Sequence, residues 1–275
     1  MSLGQTHMRK ALFLPFFGQF ADKRLAKSRQ VWYGLIIAEM SAVSGQARKG
    51  SEKMLDIFDI LGPVMVGPSS SHTAGAVRIG NMARALLGGQ PVKADIALHG
   101  SFAETGQGHG TDKALVAGLL GMRPDDLDIP RSFEIAEERG LEFYIHPVQL
   151  RDAHPNTAVL TVEDADGKKM TVQGVSIGGG RIRVDKINGV DVNFTGAYNT
   201  LVVHHQDVAG ELSRITNELA VGGVNIANMS LCRSRKGGDV LTIIEMDQKL
   251  EPSMVKRIRS LYAVHDVTYY EKEDA

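Results

Sequence analysis

Gly67-Pro68-Ser69-Ser70-Ser71-His72-Thr73-Ala74-Gly75 follows the apolar run Val64-Met65-Val66 and opens a stretch of helical spacing that reaches Leu87. Pro68 fixes the entry angle of the chain, and any of the three serines can cap a helix running from about Thr73 to Leu87. The first N–H groups of a helix have no partner within it, so such a terminus takes a carboxylate, phosphate or sulfate, and nearby hydroxyls add donors. A plain serine cap beside a surface histidine also accounts for part of the stretch. Three adjacent hydroxyls with His72 and Thr73 exceed what capping needs.

Two further stretches resemble the first in chemistry: Gly106-Gln107-Gly108-His109-Gly110-Thr111-Asp112 and Asp152-Ala153-His154-Pro155-Asn156. Each is expected to hold its histidine in a Gly-, Ser- or Pro-rich turn, where rigid flanks aim it and substrate reaches it.

Between these stretches the pattern predicts a strand at Asp95 to Leu98, a helix at Thr111 to Leu120 capped by Thr111 or Asp112, an acidic connection from Arg123 to Arg139, and a strand at Leu141 to Val148. Ala158 to Glu163 and Lys169 to Ser176 read as a hairpin around Asp164-Ala165-Asp166-Gly167. Gly178 to Gly180 then permits positive φ, for close approach of a ligand or for a bulge, before a strand at Arg181 to Asp185. From Asn199 the order becomes strand (Thr200 to His204), helix (Glu211 to Val221, stopped by Gly222-Gly223), strands (Ile226 to Arg233, Asp239 to Glu245), helix (Pro252 to Leu261) and strand (Val264 to Tyr270). That βαββαβ order is the ferredoxin-like split βαβ arrangement. The expected fold class is therefore α+β, with an α/β domain at 54–196 and a ferredoxin-like domain at 199–275.

Residues 1–53 read as an atypical basic extension. Arg9, Lys10, Lys23, Arg24, Lys27, Arg29, Arg48 and Lys49 outnumber Asp22 and Glu39 between positions 9 and 49. No apolar run there approaches the roughly 18 to 20 residues that span a bilayer. The segment is a targeting or amphipathic surface element, or a start assigned too early with the working chain beginning near Met54.

The 275 residues carry 31 basic and 32 acidic side chains, so no global field draws in nucleic acid or an anionic membrane, and a small-molecule partner is expected. Cys232 is the sole cysteine, which excludes an internal disulfide framework and suits a reducing, cytoplasmic setting. No close His, Cys and carboxylate spacing marks a zinc site, and the Gly-x-x-x-x-Gly-Lys frame of a P-loop is absent.

GPSSSHTAGAVRIG, LHGSFAETGQGHGTDKA, SIGGG at Ser176 to Gly180 and the carboxy-terminal pattern together resemble the beta subunit of iron-sulfur-dependent L-serine dehydratase, from about Phe58 to the end of the chain. The resemblance implies dehydration of L-serine to aminoacrylate and its conversion to pyruvate and ammonia. It implies a base at His109 or His154, and a substrate seat made by Ser69, Ser70, Ser71, His72 and Thr73. It also implies a 4Fe-4S cluster that takes the substrate hydroxyl. Because one cysteine cannot supply three or four thiolates, that cluster is expected on an alpha subunit, with no metal ligand in this chain. At Gly110 the sequence departs from the single-chain enzymes, where a second histidine often stands.

Asp207-Val208-Ala209-Gly210 before one helix and Gly223-Val224-Asn225-Ile226-Ala227-Asn228 after it resemble an ACT domain. That implies an amino-acid effector, L-serine itself being a candidate, at Gly210, Asn225 and Asn228, and pairing into a homodimer. Asn-containing turns after a helix are also ordinary stop signals. A competing resemblance joins residues 58–194 to the substrate-binding domain preceding the ACT domain in some phosphoglycerate dehydrogenases, which implies a non-catalytic amino-acid sensor.

Overall fold

The computed structural model describes residues 65–67, 69–233 and 235–272; Pro68, residues 1–64 with their basic extension, and the side chains of Gln107 and His109 lie outside the description. The helical spacing after His72 becomes α1, Gly75–Leu87, whose buried face is Ala76, Val77, Ile79, Met82, Ala83, Leu86 and Leu87. Gly88 ends it in the left-handed region at φ 95°, with its N–H shared between the Arg84 and Ala85 carbonyls.

Helix α1 lies on a mixed sheet of order β2-β1-β3-β4-β5-β6. Its strands are β1 Lys93–His99, β2 Glu142–Val148, β3 Thr157–Glu163, β4 Lys169–Gly178, β5 Arg181–Ile187 and β6 Val190–Phe194. Only β1 and β2 run parallel, from Lys93 opposite Glu142 to His99 opposite Val148. The crossover between them holds α2 Ser101–His109, α3 Thr111–Leu119 and α4 Ser132–Glu138. Helices α1 and α3 cross at two glycines: a Cβ on Gly80 or on Gly118 would overlap the backbone of the other helix.

The second sheet has the order β10-β7-β9-β8, all antiparallel, with β7 Asn199–Gln206, β8 Ile226–Arg233, β9 Asp239–Met246 and β10 Val264–Tyr270. Helices α5 Glu211–Val221 and α6 Pro252–Arg259 cover one face, where Leu201, Val203, Ile244 and Val267 meet Ile215, Leu219, Met254 and Ile258. The alternate residues Val202, Leu241, Ile243 and Tyr270 join the core built on α1 and the first sheet. Strand alternation thus lets one sheet serve two cores. The architecture is the expected one, an α/β domain followed by a ferredoxin-like βαββαβ domain.

Two local expectations need correction, and one strand is added. The Gly106 to Asp112 stretch is not a turn: residues 101–109 are helical, and only Gly110, at φ 70°, breaks α2 from α3 and stands as the cap assigned to Thr111 or Asp112. Helix propensity argues against Gly106 and Gly108 by roughly 1 kcal/mol each. Tertiary packing overrides it, with Phe102 fully buried and Gly106 set over Leu98. The Arg123 to Arg139 connection contains a short 3-10 turn, Ile129–Arg131, and α4. Finally, Val190–Phe194 is a strand, joined to β5 by Asn188 at φ 48° and Gly189 at φ 79°, the mirror-image turn that suits a hairpin.

Candidate functional site

Ser69 is the cap among the three serines. It is extended at φ −140°, and its hydroxyl accepts the His72 N–H at 3.2 Å. Ser70–Ala74 then form a wide π-helical turn, closed by Gly75 N–H donating to the Ser70 carbonyl, and pass without interruption into α1.

His72 joins this turn to a second helix. Its Nδ1 lies 3.1 Å from Ser71 Oγ and 3.3 Å from Ser69 Oγ, and its Nε2 lies 3.1 Å from Ser101 Oγ. A neutral imidazole carries one N–H, so it donates at one end of this array and accepts at the other. The ring also stands edge-on to Phe102, with centroids 5.3 Å apart at 66°.

Ser101 opens α2 directly after β1. Gly100 between them is at φ 57°, and a Cβ there would lie 2.7 Å from the Pro155 carbonyl oxygen, so glycine is required. This contact brings in the third stretch. Phe102 N–H donates to Pro155 O at 3.4 Å, and Ser176 N–H donates to Asn156 O at 3.0 Å. The topology explains the meeting: β1 ends between Val148 of β2 and Thr157 of β3, so the loop joining those strands falls beside the β1–α2 turn. Ligands of α/β sheets gather at such carboxyl ends.

His154 is exposed. Its Nδ1 accepts the Asn156 N–H at 3.1 Å, which leaves the neutral ring's proton on Nε2. His109 is the last residue of α2, about 12 Å along the axis from Ser101 by helix rise, and its side chain lies outside the described residues. The backbone thus gathers Ser69, Ser70, Ser71, His72, Thr73 and the His154 loop around the start of α2, while His109 marks its far end. Ser101 received no role from the sequence; the signal was its place after a strand-ending Gly, at the same kind of helix start as the first motif.

Small residues let the turn sit close to β4. A Cβ on Gly75 would overlap Ser176 Oγ, and one on Gly67 would lie 2.5 Å from Thr73 Oγ1. The hydroxyls of Thr73, Thr111 and Ser176 are buried without a hydrogen-bond partner among the described residues. Such groups ordinarily cost about 1–3 kcal/mol each.

In the second domain Gly210 caps α5 at φ 87°. Asn225 follows the other end of that helix, roughly 16 Å away by helix rise. Its Nδ2 donates to Asp247 Oδ2 at 2.6 Å, and Asn228 Nδ2 donates to Glu245 Oε2 at 2.9 Å. One chain therefore does not bring Gly210 together with Asn225 and Asn228.

An iron-sulfur cluster needs several thiolates. Cys232, the one cysteine, lies half-buried on β8, where burial pushes its thiol up and favours the protonated form. No group of three His, Cys, Asp or Glu side chains among the described residues is arranged to hold a metal ion. The donor set of this chain does not fit a cluster. No helix among the described residues is long and apolar enough to cross a membrane.

Fold and site define a class: an α/β domain with a hydroxyl and imidazole site where two helices start, followed by an ACT domain. The sequence profile of the serine dehydratase beta chain matches residues 54–141, and that of the ACT domain matches residues 199–261. The chain is 39% identical over 216 residues to the probable L-serine dehydratase, beta chain, of Bacillus subtilis (strain 168), covering 78% of this chain and 98% of that one. It is 37% identical over 215 residues to the L-serine dehydratase, beta chain, of Peptoniphilus asaccharolyticus, covering 78% and 97%. The D-3-phosphoglycerate dehydrogenase of Bacillus subtilis (strain 168) is 28% identical over 150 residues, covering 54% and 28%. The chain belongs to the serine dehydratase beta chain family.

Proposed function

We propose that this chain is the beta subunit of an L-serine ammonia-lyase and works with an alpha subunit to convert L-serine into pyruvate and ammonia. The observation that carries the reading is the His72 bridge, which holds the hydroxyls of Ser69, Ser71 and Ser101 around two helix starts. The substrate carboxylate lies against the N–H groups and hydroxyls of Ser69, Ser70, Ser71 and Thr73, beside His72. An imidazole, that of His109 or His154, takes the Cα proton; its ordinary pKa near neutrality suits the task. Hydroxide leaves Cβ, so the proton and hydroxide together amount to one water. The aminoacrylate left behind tautomerises to an imine, which water hydrolyses to pyruvate and ammonia.

Loss of hydroxide needs an electrophile. The donors of this chain do not make one from iron and sulfur, so a 4Fe-4S cluster is assigned to the alpha subunit. L-serine is also the proposed effector of the ACT domain through Gly210, Asn225 and Asn228. Their separation in one chain suits a seat shared by two copies, paired through the open edge of β8, where Met229 and Leu231 are exposed.

The similarity to D-3-phosphoglycerate dehydrogenase favours a second reading, a non-catalytic sensor. His109→Ala and His154→Ala, each assayed in the complex with the alpha subunit, separate the two. Under the first reading one of them abolishes pyruvate formation while the complex still assembles. If both variants keep full turnover and alter only the response to L-serine, the sensor reading replaces it.

A further inference from the structure

His99 is the last residue of β1. In register it lies opposite Val148, the last residue of β2, on one side and Thr157, the first residue of β3, on the other. The loop of residues 149–156 that joins those strands therefore leaves and re-enters the sheet on either side of His99, and it carries His154. His99, Gly100 and Ser101 are consecutive, so one short turn holds the entry of this loop, the contact with Pro155 and the bridge to His72.

The two ends of the loop are held differently. On the β3 side Thr157 Oγ1 donates to His154 O at 2.6 Å, and the Pro155 and Asn156 carbonyls accept the Phe102 and Ser176 N–H groups. On the β2 side the anchor is a side chain: Leu150 N–H donates to His99 Nδ1 at 3.2 Å. Val148 O lies 3.3 Å from the same nitrogen. A ring nitrogen that accepts an N–H has no proton to give, so the neutral His99 that holds Leu150 carries its proton on Nε2. The other tautomer binds Val148 O and releases Leu150. Between the two ends Asp152 is at φ 54°, in the left-handed region that a non-glycine residue keeps only where its surroundings hold it.

We propose that His99 is a positioning residue for His154. By taking the Leu150 N–H it fixes the entry of the loop, and with it the place of the His154 imidazole beside the β1–α2 turn. Its role is to hold that loop, not to meet the substrate. The proposal rests on the reading of this chain as an ammonia-lyase subunit, with His154 as the imidazole that moves the Cα proton.

The test joins NMR of the purified full chain to turnover of its complex with the alpha subunit. His99→Val removes the acceptor and keeps a strand-forming side chain, while the carboxamide oxygen of His99→Asn stands in for Nδ1. Leu150→Pro deletes the N–H from the loop side and leaves β1 unchanged, so the bond is broken in a second way if His99→Val does not fold, which circular dichroism checks. In the wild type, ring nitrogen signals should show His99 Nδ1 without a proton. Exchange of the Leu150 amide should be at least about tenfold faster in His99→Val and restored in His99→Asn. In the complex, His99→Val and Leu150→Pro should each lower kcat at least about tenfold with KM little changed, because the serine hydroxyls are untouched, and His99→Asn should recover it. A proton on His99 Nδ1 in the wild type, unchanged Leu150 exchange in His99→Val, or full turnover by both bond-breaking variants overturns the proposal. A wild-type complex that forms no pyruvate rejects the ammonia-lyase reading instead, and the NMR comparison still decides whether His99 holds the loop.

Discussion

At the scale of single residues, His72 and Ser101 behave as one unit, because each fixes the other across two helix starts. Removing the Ser101 hydroxyl takes one hydrogen bond from the His72 imidazole, at a cost of about 0.5–1.5 kcal/mol for a neutral hydrogen bond. Ser101→Ala should therefore lower kcat/KM of the alpha–beta complex by up to about tenfold, while Ser101→Thr, which keeps the hydroxyl, retains most of it. Steady-state pyruvate formation by the two variants checks this. A different histidine reports on pH. The Asp95 carboxylate, 3.0 Å from His146 Nε2, raises the pKa of His146 above 6.5. A folded-state value above the unfolded one adds stability that is complete below about pH 6.5 and is lost as pH rises through the folded value. An NMR titration should place the His146 midpoint above that of a free imidazole, and Asp95→Asn should bring it back. Among candidate site residues, the serine and histidine stretches stood out in the sequence as hydroxyls and imidazoles beside turns and a helix start. Ser101 did not, because only the β1–α2 turn, folded against Pro155, puts it on His72.

At the scale of elements, glycines decide how close the site's supports can come. Gly75→Ala should destabilise the chain by about 1–3 kcal/mol through overpacking against Ser176 Oγ and should depress activity by tilting the π-helical turn. The obstruction is a side chain, so adding Ser176→Gly should restore both. Equilibrium denaturation and turnover of the single and double variants test the pair. Gly118 differs, since a Cβ there would meet the Val77 backbone, and no side-chain change should rescue Gly118→Ala. Element by element, the second domain was the more legible. α5 and strands β8 and β10 lie where the sequence put them, and α5 shows why: Leu212, Ile215 and Leu219 recur at helical spacing and Gly222 ends the run. Helix α4 escaped because seven residues with Pro130 at their entry show little period. Strand β6 escaped although Asn188-Gly189 announces its hairpin and Val-Asp-Val-Asn-Phe alternates, a local signal that the reading passed over.

At the scale of the whole molecule, the two sheets share a core: Val202, Leu241, Ile243 and Tyr270 pack with the α1 side of the first domain. The described domains should consequently unfold together. Ile243→Ala should cost about 2–5 kcal/mol and shift a single transition, coincident by far-UV circular dichroism and by tyrosine fluorescence; two separate transitions would show independent domains. The same scale holds the functional claim. The hydroxyls and imidazoles proposed to seat a substrate and move its proton belong to this chain, whose single cysteine, Cys232, cannot supply the thiolates of a cluster. The most direct measurement is anaerobic: assay L-serine deamination by this chain alone, by the alpha subunit alone and by the mixture, then separate the chains and quantify iron on each. The account predicts pyruvate only from the mixture, with the iron on the alpha subunit; deamination by this chain unaided, or iron retained by it in stoichiometric amount, would contradict it.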